Sequence, residues 1–237
     1  MYSFKKVFII HLVNNLLNPV FRQIAFKGSN KTLYRADATG EFVLSFEGED
    51  SKLCMIRNRI SQIIFELLSD CGVANHYIKP HGMKEQKVVA LEMLPFFVNV
   101  VGSTTDAVAK RLMCAPGMKL KNYLVELILK QNDNPVVSKE HIVSFDWIKA
   151  GEWEKIELSA RRSMDIIYSF FKAFGFTVSA VCLEFGRMYK DGLAHDILLA
   201  DEMSLQNIQL SIDDMVGMTE IDTYVEVAKR LGILKYE

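Results

Sequence analysis

Two carboxylates flank a turn that the sequence marks clearly. Cys182-Leu183-Glu184-Phe185-Gly186 and Leu198-Leu199-Ala200-Asp201-Glu202 lie on either side of Lys190-Asp191-Gly192, a strand–turn–strand signature. Facing positions in a hairpin have residue numbers of constant sum, so a turn centred between Gly192 and Leu193 sets Glu184 opposite Asp201. Opposed side chains have Cβ atoms about 4.5–5.5 Å apart, where like charges repel. Both groups can occupy that site only with a proton, a basic side chain or a cation between them. Magnesium is one such cation, held by one or two carboxylates together with nucleotide phosphate oxygens. The other reading is a register one residue away, with both groups solvated at the strand ends.

A second candidate is the turn Phe26-Lys27-Gly28-Ser29-Asn30-Lys31. Its backbone N–H groups and lysine can lie against a phosphate. It lacks the spacing of a Walker loop and opens no helix, so a plain hairpin turn is the competing reading. The five histidines (His11, His76, His81, His141, His195) have no ligand spacing, and no Ser/His/Asp or Cys/His set emerges. Hydrolase chemistry has no support. Cys54, Cys71, Cys114 and Cys182 lie far apart with no C-x-x-C pair, which predicts reduced core thiols rather than a zinc or redox site.

The elements that must position these groups are legible from pattern. Short runs at Ile24–Lys27, Lys31–Ala36 and Glu41–Phe46, separated by polar turns, predict an antiparallel meander. The period then becomes helical: Ile56, Ile60, Ile63, Ile64, Leu67 and Leu68 share one face, and Gly72 follows the last turn. Lys87–Met93 and Phe96–Val101 read as two strands punctuated by Pro95. Asp106 is placed to cap a short helix through Met113, and Tyr123–Leu129 reads as an apolar strand. Trp153, Ile156, Ala160, Met164, Ile167, Phe171 and Phe174 mark a long amphipathic helix ending at Gly175. Phe176–Phe185 and Asp196–Glu202 are the hairpin strands, and Thr219 with Asp222 predicts a capping box for a last helix through Leu231. Strands and helices in this order make an α+β chain.

At 237 residues, with 50% hydrophobic and 24% charged residues, the chain has ample material for one large or two small folded domains. A net charge of -1 supplies no field that would draw it to nucleic acid. Lys5-Lys6 before Val7–Ile10 resembles the start of a signal peptide, but His11, Asn14, Asn15 and Asn18 interrupt the apolar run. The expectation is an N-terminal extension over 1–23 that does not enter a membrane, on a cytoplasmic protein.

Five motifs occur in order: Asn58-x-Ile60-Ser61, Gly72-Val73-Ala74-Asn75-His76-Tyr77, Lys110-Arg111-Leu112, Leu183-Glu184-Phe185-Gly186 and Asp201-Glu202-x-Ser204. Together, from about Ala25 to Gly232, they resemble the phosphoribosylaminoimidazole-succinocarboxamide (SAICAR) synthetase family. The resemblance implies a β-rich N-terminal domain (24–95) packed on an ATP-grasp-like α+β domain (96–237), with ATP between them. It implies ligation of carboxyaminoimidazole ribonucleotide to L-aspartate with ATP and magnesium in purine synthesis, by proteins that are commonly homodimers. Carried over by position, Gly28, Lys31, Ala90, Leu91, Glu92, Met93, Lys130 and Asp201 would meet the nucleotide. Lys31, Lys130 and Glu184 would be catalytic, and Glu184 and Asp201 would hold magnesium.

The chain also departs from the family pattern. Ser29 stands where the loop has its first lysine, and Cys182 where the family has K-L-E-F-G. Val101, Ala107 and Gln209 stand where the family presents arginine, serine and arginine to the ribonucleotide phosphate. The alternative function is therefore a catalytically impaired nucleotide-binding homologue, or a ligase for a different carboxylate.

Overall fold

The computed structural model describes residues 22–149, 151–190, 192–211 and 217–235. The extension expected over 1–23 falls outside them except for Arg22 and Gln23. Among the described residues no helix is long and apolar enough to cross a membrane.

Two antiparallel sheets form the framework. The first contains β1 (Ile24–Lys27), β2 (Lys31–Arg35), β3 (Glu41–Phe46), β4 (Tyr77–Gly82) and β5 (Glu85–Val89), in the order β1-β2-β3-β5-β4. The predicted meander is its first half. Between β3 and β4 the chain forms α1 (Ser51–Asp70), whose N-cap Asp50 accepts from the N–H groups of Lys52 and Leu53 at 2.7 and 3.0 Å. Gly72, at φ +78°, turns the chain out of this helix.

The second sheet contains β6 (Glu92–Ser103), β7 (Lys119–Leu129), β8 (Val136–Val137), β9 (Val178–Lys190) and β10 (Leu193–Ala200), in the order β10-β9-β6-β7-β8. β11 (Ile208–Leu210) pairs with the first half of β9. The remaining helices are α2 (Asp106–Leu112), α3 (Lys139–Ser144), α4 (Glu152–Ala173) and α5 (Glu220–Arg230). Thr219 and Asp222 form the predicted capping box of α5.

Alternation along the central strands divides the second sheet into two chemical faces. Phe96, Val98 and Val100 of β6 and Val181, Leu183 and Phe185 of β9 enter one core with α1 and α4. Ile156, Ala160, Met164, Ile167 and Phe171 of α4 are fully buried there, each large side chain contributing about 1.5–3 kcal/mol. The same alternation turns Phe97, Asn99, Cys182 and Glu184 to the opposite face.

Three local expectations need correction. Pro95 does not separate two strands; it lies within β6, where the pairing with β9 shifts between Met93 and Phe97. A proline lacks a ladder donor and is accommodated at such a bulge, and its carbonyl still accepts from Lys130 N at 3.0 Å. Thr105, not Asp106, caps α2, because its hydroxyl accepts from Val108 N while Asp106 occupies the first turn. All four cysteines are free, but of these only Cys54 is a buried core thiol; Cys71 is exposed.

Candidate functional site

The site is built from segments that the fold brings together at the junction of the two sheets. Lys31 opens β2, directly after a turn closed by Gly28 N donating to Lys31 O at 2.8 Å. Asp201 follows the last residue of β10. Glu184 lies in β9, and Lys130 follows β7 in the same alternating row as Glu126.

Lys31 Nζ donates to Asp201 Oδ1, and Lys130 Nζ donates to Glu184 Oε2. The four side chains retain between 12% and 24% exposure, enough for a ligand to reach them. Lys130 Nζ also sits 5.1 Å from the centroid of the Phe97 ring, a cation–π contact. A more deeply buried pair supports this group from behind. Arg57 of α1 donates to both oxygens of Glu202 at 3.0 Å, and Lys31 Nζ lies 3.5 Å from Glu202 Oε1. Gln206 links the pair to the β1–β2 turn, accepting from Arg57 and from Asn30.

The hairpin register is one residue away from the predicted one: Ala200, not Asp201, stands opposite Glu184. An irregularity between Ala194 and Asp196 shifts the ladder near the turn. Yet the carboxylates are not solvated. Asp201 adopts φ +70°, a left-handed conformation that Asp tolerates better than most residues. Its side chain thereby comes close enough to Glu184 for the two carboxylates to interact electrostatically. His76 and Ser61 hold this turn in place. His76 Nε2 donates to the Asp201 carbonyl at 2.8 Å, and Met203 N donates to Ser61 Oγ at 3.0 Å.

The electrostatics follow from this arrangement. Burial, and then the charge of Asp201, push the Glu184 carboxyl up against the opposing pull of Lys130. Burial also works to raise Asp201, but the charge and hydrogen bond of Lys31, with the Glu202 N–H, together hold it below its ordinary value. Glu184 is therefore the member of the pair that takes up a proton first. Burial works to lower Lys31, but Asp201 and Glu202 prevail and raise it, so it stays charged. Burial pushes His76 down to about 4, leaving a neutral ring whose carbonyl partner requires the proton on Nε2. Burial, with Glu184 and Asp201 nearby, pushes the Cys182 thiol up to about 12. Cys182 thus offers neither a positive charge nor a thiolate.

Ala90 and Leu91 are the crossing from β5 to β6. Ala90 N donates to Gly40 O at 2.8 Å, and Met93 pairs with Gly186. Glu92 accepts from Tyr189 Oη and lies 3.7 Å from Arg187 Nη1. Gly186 is required by close approach: a Cβ there would stand 2.7 Å from Leu91 Cβ. Gly186 is two residues along β9 from Glu184, about 7 Å. All nine residues singled out in the sequence therefore lie around one junction.

The ribonucleotide positions look different. Val101 is buried with Val108 and Ala180, while Ala107 and Gln209 are exposed. Arg111, on the same helix as Ala107, is engaged with Glu126, and Arg187, at the far end of β9 from Val101 and Gln209, is engaged with Glu152. Sequence reasoning did not single out Arg57, Glu202, His76 or Gln206 as site members, although all but Arg57 and Gln206 fall within the quoted motifs.

Two antiparallel sheets meeting at a row of lysines and carboxylates define a protein equipped to handle phosphates and their counter-cations. The SAICAR synthetase family model matches residues 28–215. The phosphoribosylaminoimidazole-succinocarboxamide synthase of Pelagibacter ubique is 35% identical over 193 residues, 76% of this chain and 74% of that protein. The synthase of Hyphomonas neptunium is 32% identical over 243 residues, 90% of this chain and 92% of that one. The fold agrees: the Ehrlichia chaffeensis synthase superposes with a TM-score of 0.82 at 24% identity, covering 90% of this chain and all of that one. A SAICAR synthetase in complex with ADP superposes at 0.80, also at 24% identity, covering 91% of this chain and 100% of that one. This chain belongs to the SAICAR synthetase family.

Proposed function

We propose that the protein is an ATP-dependent ligase that joins carboxyaminoimidazole ribonucleotide to L-aspartate in purine biosynthesis. The observation that carries this reading is the Lys31–Asp201–Glu184–Lys130 cluster, assembled from four separate segments in a chain that matches the family over most of its length. The family relatives favour this reading over an impaired homologue or a ligase for another carboxylate.

In this reading the substrate carboxylate is activated by phosphoryl transfer from ATP, and the aspartate nitrogen then displaces the phosphate. Lys31 and Lys130 neutralise phosphate charge, and Ala90–Met93, the crossing and the first two residues of β6, meets the adenine through its backbone. The donor set fits a hard divalent cation. Glu184 and Asp201 supply carboxylate oxygens, the Glu202 carboxylate is taken by Arg57, and Cys182 remains a neutral thiol. Magnesium held there would stabilise charge on the phosphate oxygens.

A two-domain division into 24–95 and 96–237 belongs to the same proposal, although β6 of the second sheet already begins at Glu92. The homodimer rests on the resemblance, and the cytoplasmic location on the N-terminal pattern and the unpaired cysteines. The direct test is incubation with ATP, magnesium, L-aspartate and the imidazole ribonucleotide, with mass detection of the succinocarboxamide product. Product that depends on all four components supports the reading, and its absence from folded protein overturns it.

A further inference from the structure

The two lysines and two carboxylates already neutralise one another without any ligand. Lys31 pairs with Asp201 and Lys130 with Glu184. These are the same two carboxylates that a divalent cation would need. The ammonium groups thus occupy cation positions, and while each stays on its carboxylate its charge is spent there rather than on a phosphate.

The geometry points to a charge exchange: Lys31 and Lys130 act as internal counter-ions that block the divalent-cation site until nucleotide phosphates draw them away. This inference rests on the proposed ATP site and goes beyond it, because it assigns the lysines a second, antagonistic role toward the metal.

Three observations support it. The side chains are shielded enough for attraction to be strong, yet 12–24% exposed, so they are not sealed in. The backbones of all four residues are anchored, Asp201 by His76, Glu184 in β9, Lys31 in β2 and Lys130 by the Pro95 carbonyl. Movement is left to the side chains, and the carboxylates hang on the shorter stems. The mobile partners are the lysines, each with a flexible four-carbon stem. Finally, the charge left behind is accommodated. When Lys31 moves to a phosphate, Glu202 keeps its two hydrogen bonds from Arg57, so only Asp201 needs a new counter-ion. The metal is that counter-ion.

Metal and nucleotide should therefore bind with positive coupling, and a lysine should be a nucleotide ligand that opposes the metal. This can be tested on the full chain without nucleotide, by titrating Mn2+ and following the free ion by electron paramagnetic resonance. Wild type should bind Mn2+ weakly. Lys31→Met and Lys130→Met should each bind it at least tenfold more tightly, while weakening ADP binding measured by calorimetry. Adding Glu184→Gln to Lys130→Met should abolish the gain, which assigns the gain to this site. Lys130→Met provides the test if Lys31→Met fails to fold, because Lys130 is the more exposed lysine. Unchanged or weaker Mn2+ binding in a folded lysine variant overturns the inference. The ligase reading fails separately, through absence of product from wild type.

Discussion

Gly186→Ala tests how closely the two sheets are joined at the proposed nucleotide site. A Cβ at Gly186 would stand 2.7 Å from Leu91 Cβ, 3.1 Å from Leu91 Cδ1 and 3.2 Å from the Glu92 carbonyl oxygen. Carbon atoms pack comfortably at about 3.5–4.0 Å, so the first contact must open by roughly 1 Å. Leu91 Cβ is attached directly to the backbone, so the β5–β6 crossing itself has to move. Overpacking of this kind costs about 1–3 kcal/mol. In a chain of this size that lowers Tm by about 2–4 °C for each kcal/mol. Gly102→Ala is the control. It is also a strand glycine, but its nearest contact is Met164 Cε at 3.0 Å, the free end of a flexible side chain. Urea denaturation should rank Gly186→Ala below Gly102→Ala, and ADP titration should show weaker binding for Gly186→Ala alone. Equal stability of the two variants, or unaltered ADP affinity in Gly186→Ala, would refute the reasoning.

Three further outcomes are expected. Arg57→Met should destabilise the fold by about 3 kcal/mol, the lower end for breaking a buried pair, because Lys31 remains 3.5 Å from Glu202; a double variant with Glu202→Met should cost less than the sum of the singles, as a denaturant double-mutant cycle would reveal. His76 is 5% exposed and held near 4 against an ordinary 6.5, so the unfolded chain binds the extra proton between these values. Stability should therefore fall as pH drops from about 6.5 to 4, by about 3 kcal/mol in total, and His76→Gln should flatten that window in pH-dependent unfolding. ATP with magnesium should raise Tm, and Asp201→Asn should reduce that rise; an identical shift in both proteins would remove Asp201 from the site.

Much of the scaffold is written in local pattern. The apolar stripes of α1 and α4 and the capping box at Thr219 and Asp222 are decided within a few turns of chain, so spacing alone reveals them. Short elements with fewer than two full periods escaped: β8 has two residues, β11 three and α3 six. They exist because neighbours pair with or cover them. Glu184 and Asp201 were legible as a potential pair because both flank a recognisable turn. Their actual meeting depends on a register shift near Ala194 and a left-handed residue at Asp201, neither of which alternation encodes. Arg57 lies on a helix face that reads as apolar, and His76 carries no ligand spacing. Each acquires its role only when a distant strand lays Glu202 or the Asp201 carbonyl against it. Helical period and capping are set by neighbours in sequence. The charge state and partner of a buried side chain are set by neighbours in space, because burial and Coulomb attraction depend on what the whole fold packs around it.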